Sequence, residues 1–204
     1  MNLAILGGTN LATALGNKFI ARGMNVEFGV REGFNTRQVA WKILKMQKQN
    51  LLSFKQAIEK ADVIFLCCDN EFLESICSHL KEKSTHGKLV IDCTNGQWDP
   101  DLGCNTTFIQ NATNHPRVYK AFNNLGLEYP KSDPLALVKE TYFCGDGIED
   151  RFLLKRLIEL IGFKAIDAGK LKNARLLEAV YHLRREIALV RNGEGDLHFT
   201  LMSM

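Results

Sequence analysis

The chain has 204 residues, 46% of them hydrophobic and 24% charged, and its 26 basic and 23 acidic side chains leave a net charge of +3. That is ordinary globular composition: so small an excess makes no case for nucleic acid, and no apolar run approaches the ~18–20 residues that cross a bilayer. Six cysteines mostly inside apolar runs, with no metal-type spacing, and five scattered histidines are read as reduced thiols and non-ligand imidazoles of a cytoplasmic protein, with no leader and no resident metal.

In chain order, Leu3-Ala4-Ile5-Leu6 is a buried-strand run, Gly7-Gly8-Thr9-Asn10 a tight turn, and Leu11, Ala12, Leu15, Phe19 and Ile20 recur at helical spacing up to Gly23. Asn25 to Val30 reads as the next strand, with Arg31 at its end. This is the opening half of a dinucleotide-binding unit: the turn admits a pyrophosphate to the N–H groups at a helix N-terminus. An Asp or Glu at the second strand's end would bond a free ribose 2′-hydroxyl, whereas Arg31 suits a 2′-phosphate, so the expected cofactor is NADP(H). Set on the G-x-G-x-x-G/A fingerprint, Gly7 and Ala12 fit, but Thr9 stands at the second glycine. Either its Cβ pushes the phosphates outward or forces the loop open, or the loop is one residue short and Gly8 takes over the close approach.

Beyond Arg31 the spacing predicts a helix over 36–48, a weak strand at Leu51-Leu52 and a short helix through Ala57 and Ile58. Ala61 to Cys68 is a nearly continuous apolar run, as a parallel strand covered on both faces would be. A helix over 70–83, a strand over 88–93, a helix near Phe108 and a strand over 117–122 follow. Strand 141–144, helix 149–161, strand 164–168, a long helix over 173–191 and a last strand at 197–201 complete the reading. Such alternation implies an α/β, Rossmann-like, doubly wound and mainly parallel sheet: a single NADP-binding domain over 1–204 with a long C-terminal helix.

Ligands of open α/β sheets bind beyond the carboxyl ends of the strands. This chain places there the turn Gly7 to Asn10, then Val30-Arg31, Cys68-Asp69, Thr94-Asn95 and Phe122-Asn123. Asp69 reads either as a cap of the next helix or as a ribose or nicotinamide contact. No Ser/His/Asp, Cys/His or paired-carboxylate arrangement assembles from sequence neighbours, so no catalytic residue is named. Hydride transfer tolerates that, because the cofactors carry the chemistry.

In order, Gly7-Gly8-Thr9, Gly29-Val30-Arg31, Ala61-Asp62-Val63, Gly87 to Asn95, Lys120-Ala121-Phe122-Asn123, Cys144-Gly145-Asp146 and Asp167 to Glu178 resemble the NADP oxidoreductase family of the deazaflavin (coenzyme F-420)-dependent type. They are also similar to the cytosolic NADPH-binding domain of the STEAP metalloreductases. The resemblance implies that Gly7 to Ala12 bind the pyrophosphate and Arg31 the 2′-phosphate, with Cys68-Asp69, Thr94-Asn95 and Ala121-Phe122-Asn123 bordering ribose and nicotinamide. The implied activity is hydride transfer to or from a small-molecule acceptor, a flavin or deazaflavin co-substrate. Thr9, Val30 in place of a hydroxyl beside Arg31, and Asn124 where a threonine is usual depart from the family pattern. Two alternatives stand beside it: a degenerate, non-enzymatic nucleotide-binding or interaction protein, and a reductase of a small imine or carbonyl, which needs a proton donor.

Leu176, Val180, Leu183, Ile187 and Val190 form a narrow stripe on the last helix. It either covers the chain's own sheet or, together with 197–201, packs a homodimer.

Overall fold

The structure is a computed structural model and describes residues 1–35, 38–46, 51–97, 103–191 and 197–202. One eight-stranded sheet organises it. Strands β1 (Asn2–Leu6), β2 (Asn25–Val30), β3 (Leu51–Ser53), β4 (Val63–Leu66), β5 (Leu89–Asp92), β6 (Val118–Ala121), β7 (Glu140–Cys144) and β8 (Lys164–Asp167) lie in the order β3-β2-β1-β4-β5-β6-β7-β8. Every pair is parallel except β6 with β7. The exception follows from the connection: no α-helix lies between these two strands, so the chain turns back instead of crossing over.

The helices are α1 (Asn10–Ile20), α2 (Val39–Met46), α3 (Phe54–Lys60), α4 (Leu73–Leu80), α5 (Asn105–Thr113), α6 (Ile148–Leu160) and α7 (Ala174–Val190). They cover both faces, which is why the strands read as unbroken apolar runs. Leu3, Ile5, Val63, Phe65 and Cys67 enter one core with Leu15 and Phe19 of α1 and Leu154 and Ile158 of α6. Ala4, Leu6, Ile64, Leu66 and Cys68 enter the other with α3 and α4. Cys67 and Cys68 thus point to opposite faces, and all six cysteines are buried free thiols.

Local chemistry sets the helix ends. Ser53 and Gln56 form a reciprocal capping box on α3, and Gly23, at φ 76°, turns the chain after α1. Burial of a large apolar side chain contributes about 1.5–3 kcal/mol, and α1 has several such anchors. By contrast, α7 buries only Ala174 and Glu178, so polar contacts must hold it.

Two sequence expectations are corrected. The predicted helix over 70–83 opens as a 3-10 turn (Asn70–Phe72) before α4. The predicted strand at 197–201 has no ladder partner: its Phe199 carbonyl accepts from the Tyr142 hydroxyl (3.2 Å), and Leu201 N donates to Glu140 Oε2 (3.3 Å). A strand needs a backbone neighbour, and side chains of β7 take that place. The predicted helix over 36–48 is described as Val39–Met46; residues 36–37 and 47–48 lie outside the described residues. No described helix is long and apolar enough to cross a membrane.

Candidate functional site

Parallel pairing brings the ends of β1, β2, β4, β5 and β6 to one edge, and the first turn sits at its centre. Gly7 has φ 131°, and a Cβ there would run into the Cys67 carbonyl, so the turn requires glycine. Thr9 is the N-cap of α1: its Oγ1 accepts from Ala12 N (3.2 Å) and donates to the Cys67 carbonyl (2.7 Å). Its side chain is buried and ties the turn to β4. The side chain that the fingerprint sets against the phosphates is thus engaged in capping α1 and bonding the Cys67 carbonyl.

On the β2 side of the turn, a cavity of about 160 Å³ is lined by Gly7, Gly8, Arg31, Phe34, Phe54, Asp69, Glu71 and Phe72. The Arg31 guanidinium lies over the Phe72 ring, 5.9 Å from its centroid. Phe34 lies edge-on to Trp41, whose Nε1 donates to the Gly8 carbonyl (3.1 Å). Asp69 stands at the N-cap position of the 3-10 turn, yet its side chain caps nothing and lines this cavity instead.

On the other side, a cleft of about 400 Å³ opens between the Leu125–Glu128 segment and α7. Asn70, Asn95, Gly96, Tyr181, His182, Arg184 and Arg185 are among its walls. Asn95 is fixed by a two-way exchange with Asn123: its Nδ2 donates to the Asn123 carbonyl (2.9 Å), and its Oδ1 accepts from Asn123 Nδ2 (3.0 Å). Asn123 Nδ2 also donates to the Leu177 carbonyl of α7 (2.8 Å). Burial pushes the His182 imidazole below its ordinary value, against the nearby Glu178 carboxylate.

Beneath the cleft lies a buried ionic cluster. Lys120 Nζ donates to Asp92 Oδ2 (2.7 Å), the Thr94 carbonyl (2.9 Å) and Glu178 Oε1 (2.7 Å). Asp92 also accepts from Thr94 N, Thr94 Oγ1 and Thr106 Oγ1, and Glu178 from Gly96 N and Asn105 N. Burial alone would push the Lys120 ammonium down, but the Asp92 and Glu178 carboxylates outweigh it and hold it above the usual lysine value. Lys120 and Glu178 fall inside the resemblance motifs but carried no role there; a lysine within an apolar strand run was the available signal.

Gly7, Gly8, Arg31 and Asp69 therefore meet at one cavity, and Asn95 lines the cleft across the turn. Leu11, Ala12, Val30, Cys68, Thr94, Ala121, Phe122 and Asn123 stand at the same edge with their side chains buried. Those residues can offer a ligand backbone and shape, not exposed side chains. Burial pushes the Cys68 thiol well up, which disfavours its thiolate. Sequence reasoning missed Tyr181, His182, Arg184 and Arg185, which only the placement of α7 brings to the cleft.

The NADP(H) cofactor expected from the sequence fits the adenosine side of this arrangement: Arg31 sits with aromatic rings in a recess beside the turn. At the head of α1 the fit is tighter, because Leu11 N already donates to the Leu127 carbonyl (2.9 Å).

Residues 2–96 match the family described as NADP oxidoreductase, coenzyme F420-dependent. The metalloreductase STEAP3 of Rattus norvegicus is 24% identical over 181 residues, which cover 87% of this chain but only 36% of that protein. The F420-dependent NADP reductase of Methanocaldococcus jannaschii is 27% identical over 207 residues, covering 88% of this chain and 89% of the relative. Among solved structures, a proposed F420-dependent NADP reductase from Arthrobacter sp. FB24 superposes with a TM-score of 0.83 at 16% identity, with both chains covered completely. That likeness shows the Rossmann-type fold. The resemblance read from the sequence holds: the chain is similar to an F420-dependent NADP reductase and to a STEAP metalloreductase, and its residues 2–96 match the F420-dependent NADP oxidoreductase family.

Proposed function

We propose that this chain is an NADP(H)-dependent oxidoreductase, a single cytoplasmic NADP-binding unit that passes hydride between nicotinamide and a flavin-like or deazaflavin acceptor. The observation that carries the reading is the pair of recesses on one sheet edge, separated by the glycine turn and the head of α1. A dinucleotide laid across that edge puts its adenosine beside Arg31 and its nicotinamide beside Asn95. Bound there, the nicotinamide supplies the hydride chemistry. The chain's own residues bind and orient: Arg31 pairs with the 2′-phosphate, the turn and α1 face the pyrophosphate, and Asn95, held by Asn123, borders the reacting end. The cleft under α7 takes the acceptor. The family match and the F420-dependent NADP reductase named above support NADP-dependent oxidoreduction; the hydride step and its acceptor are our assignment.

A reductase of a small imine or carbonyl is the second reading. Its missing proton donor has candidates in Tyr181 and His182, which face the same cleft. Reduction of an imine or ketone by the protein with NADPH, lost in a Tyr181→Phe or His182→Gln variant, would favour it over flavin reduction.

The test of the main reading is a titration with NADPH and NADH, followed by mixing with flavin or deazaflavin and following loss of nicotinamide absorbance. NADPH is expected to bind more tightly than NADH by about 1.5–3 kcal/mol, the worth of a charge-assisted contact. Arg31→Ala should lose most of that preference and leave NADH binding little changed. Equal affinities in the parent protein would overturn the assignment of Arg31.

A further inference from the structure

The positive end of α1 is the place where a Rossmann unit receives the dinucleotide pyrophosphate. In this chain its own residues fill much of that place. The Leu127 carbonyl accepts from Leu11 N (2.9 Å), and Asn10 Nδ2 donates to Glu128 Oε2 (3.1 Å) and to the Glu128 carbonyl (3.5 Å). Thr9 Oγ1 takes the Ala12 N–H. The first turn of α1 has no acidic residue of its own, and the Glu128 carboxylate, 118 residues away in sequence, is held beside it by the Asn10 side chain.

We propose that Glu128 is an internal competitor for the pyrophosphate, so that binding a dinucleotide requires the Leu127–Glu128 segment to come off the head of α1. The inference rests on the dinucleotide reading above. Two like charges at one helix end repel each other, and a phosphate oxygen competes with the Leu127 carbonyl for the same N–H. Glu128 is exposed, so its side chain can swing aside, whereas releasing the Leu11 N–H needs a backbone shift. Leu127 and Glu128 also wall the acceptor cleft opposite Tyr181 and Arg185. Filling the nucleotide site therefore reshapes the acceptor site.

The experiment is calorimetric titration of NADPH, and separately of adenosine 2′-monophosphate, into the parent protein and its Glu128→Gln, Glu128→Ala and Glu159→Gln variants. Glu159 is an exposed carboxylate on α6 that controls for net charge. Both Glu128 variants should bind NADPH about fivefold more tightly, the size of one carboxylate acting at a helix end. Adenosine 2′-monophosphate, which lacks a pyrophosphate, should bind all four proteins alike, and Glu159→Gln should match the parent. In the parent, NADPH should also move the Leu11 amide resonance, as its N–H changes acceptor. Unchanged or weaker NADPH binding by the Glu128 variants overturns the inference while leaving the dinucleotide reading intact. Equal tightening of NADPH and adenosine 2′-monophosphate also overturns it, by showing a general charge effect. Absence of NADPH binding by all four folded proteins overturns the dinucleotide reading and this inference with it.

Discussion

Lys120 on β6 and Glu178 on α7 meet at 2.7 Å, and neither side chain has meaningful access to solvent. This contact joins the sheet to a helix that buries almost nothing apolar, and α7 is the helix that carries Tyr181, His182, Arg184 and Arg185 to the cleft. Glu178 receives Gly96 N and Asn105 N as well, so one carboxylate pins α7, the turn after β5 and the start of α5 together.

Removing one member of a buried charge cluster leaves its partners uncompensated, which costs about 3–5 kcal/mol, whereas an exposed pair is worth at most about 1 kcal/mol. Lys120→Met, which keeps the stem and deletes the charge, should therefore destabilise the protein by about 3–5 kcal/mol in urea unfolding. Lys155→Met, at an exposed pair on α6, should change it by less than about 1 kcal/mol. If the two variants unfold alike, the cluster does not hold α7.

The central sheet was legible in the sequence because strands covered on both faces read as apolar runs, as Leu3 to Leu6 and Ile64 to Leu66 do beside turn residues. Their carboxyl ends located the candidate site. Illegible were contacts between residues far apart in sequence. Lys120 meets Asp92 and Glu178 at separations of 28 and 58 residues, and no periodicity encodes such a meeting. Glu128 and Asn10 are a still longer case. The tail over 197–201 shows the opposite failure: its composition suits a strand, but strand formation depends on a free neighbouring backbone, which composition does not record.

Thr9 offers a stability test. Its hydroxyl both caps α1 and bonds the Cys67 carbonyl, so Thr9→Val, equal in shape but without the hydroxyl, should cost about 1–2 kcal/mol. Thr9→Ser should be close to neutral. Thr9→Gly should weaken NADPH binding, because the turn loses its tie to β4. Tighter binding in the glycine variant would show instead that the side chain obstructs the phosphates.

His115 sets a pH dependence. Its Nε2 donates to the Thr85 carbonyl (3.0 Å) and its Nδ1 accepts from Arg117 N (3.2 Å), so the neutral ring is fully used. Burial, aided by the His86 and Arg117 charges and opposed by the Thr85 bond, lowers its pKa below the ordinary 6.5. The unfolded chain then binds the proton more readily than the folded one. Stability from His115 is present above the ordinary value and is lost as pH falls through the lowered one. Melting temperature should fall between about pH 7.5 and about pH 5, and by less in His115→Asn, whose side chain does not titrate. Parallel pH profiles for the two proteins would remove His115 as the cause.

Of the stripe on α7, Ile187 is half-buried, whereas Leu176, Val180, Leu183 and Val190 are exposed, Leu183 at 53% and Val190 at 84%. Beside it runs the 197–202 tail, tied to α7 through Arg184 Nη1, which donates to the Leu197 carbonyl (3.4 Å), and presenting exposed Phe199, Leu201 and Met202. A run of large apolar side chains left in water on a terminal helix is the surface expected where another chain docks. A two-fold dimer is the commonest way for a soluble chain to cover one. We expect the 204-residue chain to scatter light as a dimer at micromolar concentration. Leu183→Glu places a charge in the middle of the stripe and should release monomers without lowering the melting temperature of the monomer fold. Truncation after Gly193 should weaken the dimer if the tail contributes and leave it unchanged if α7 alone forms the contact. A monomeric 204-residue chain ends the proposal.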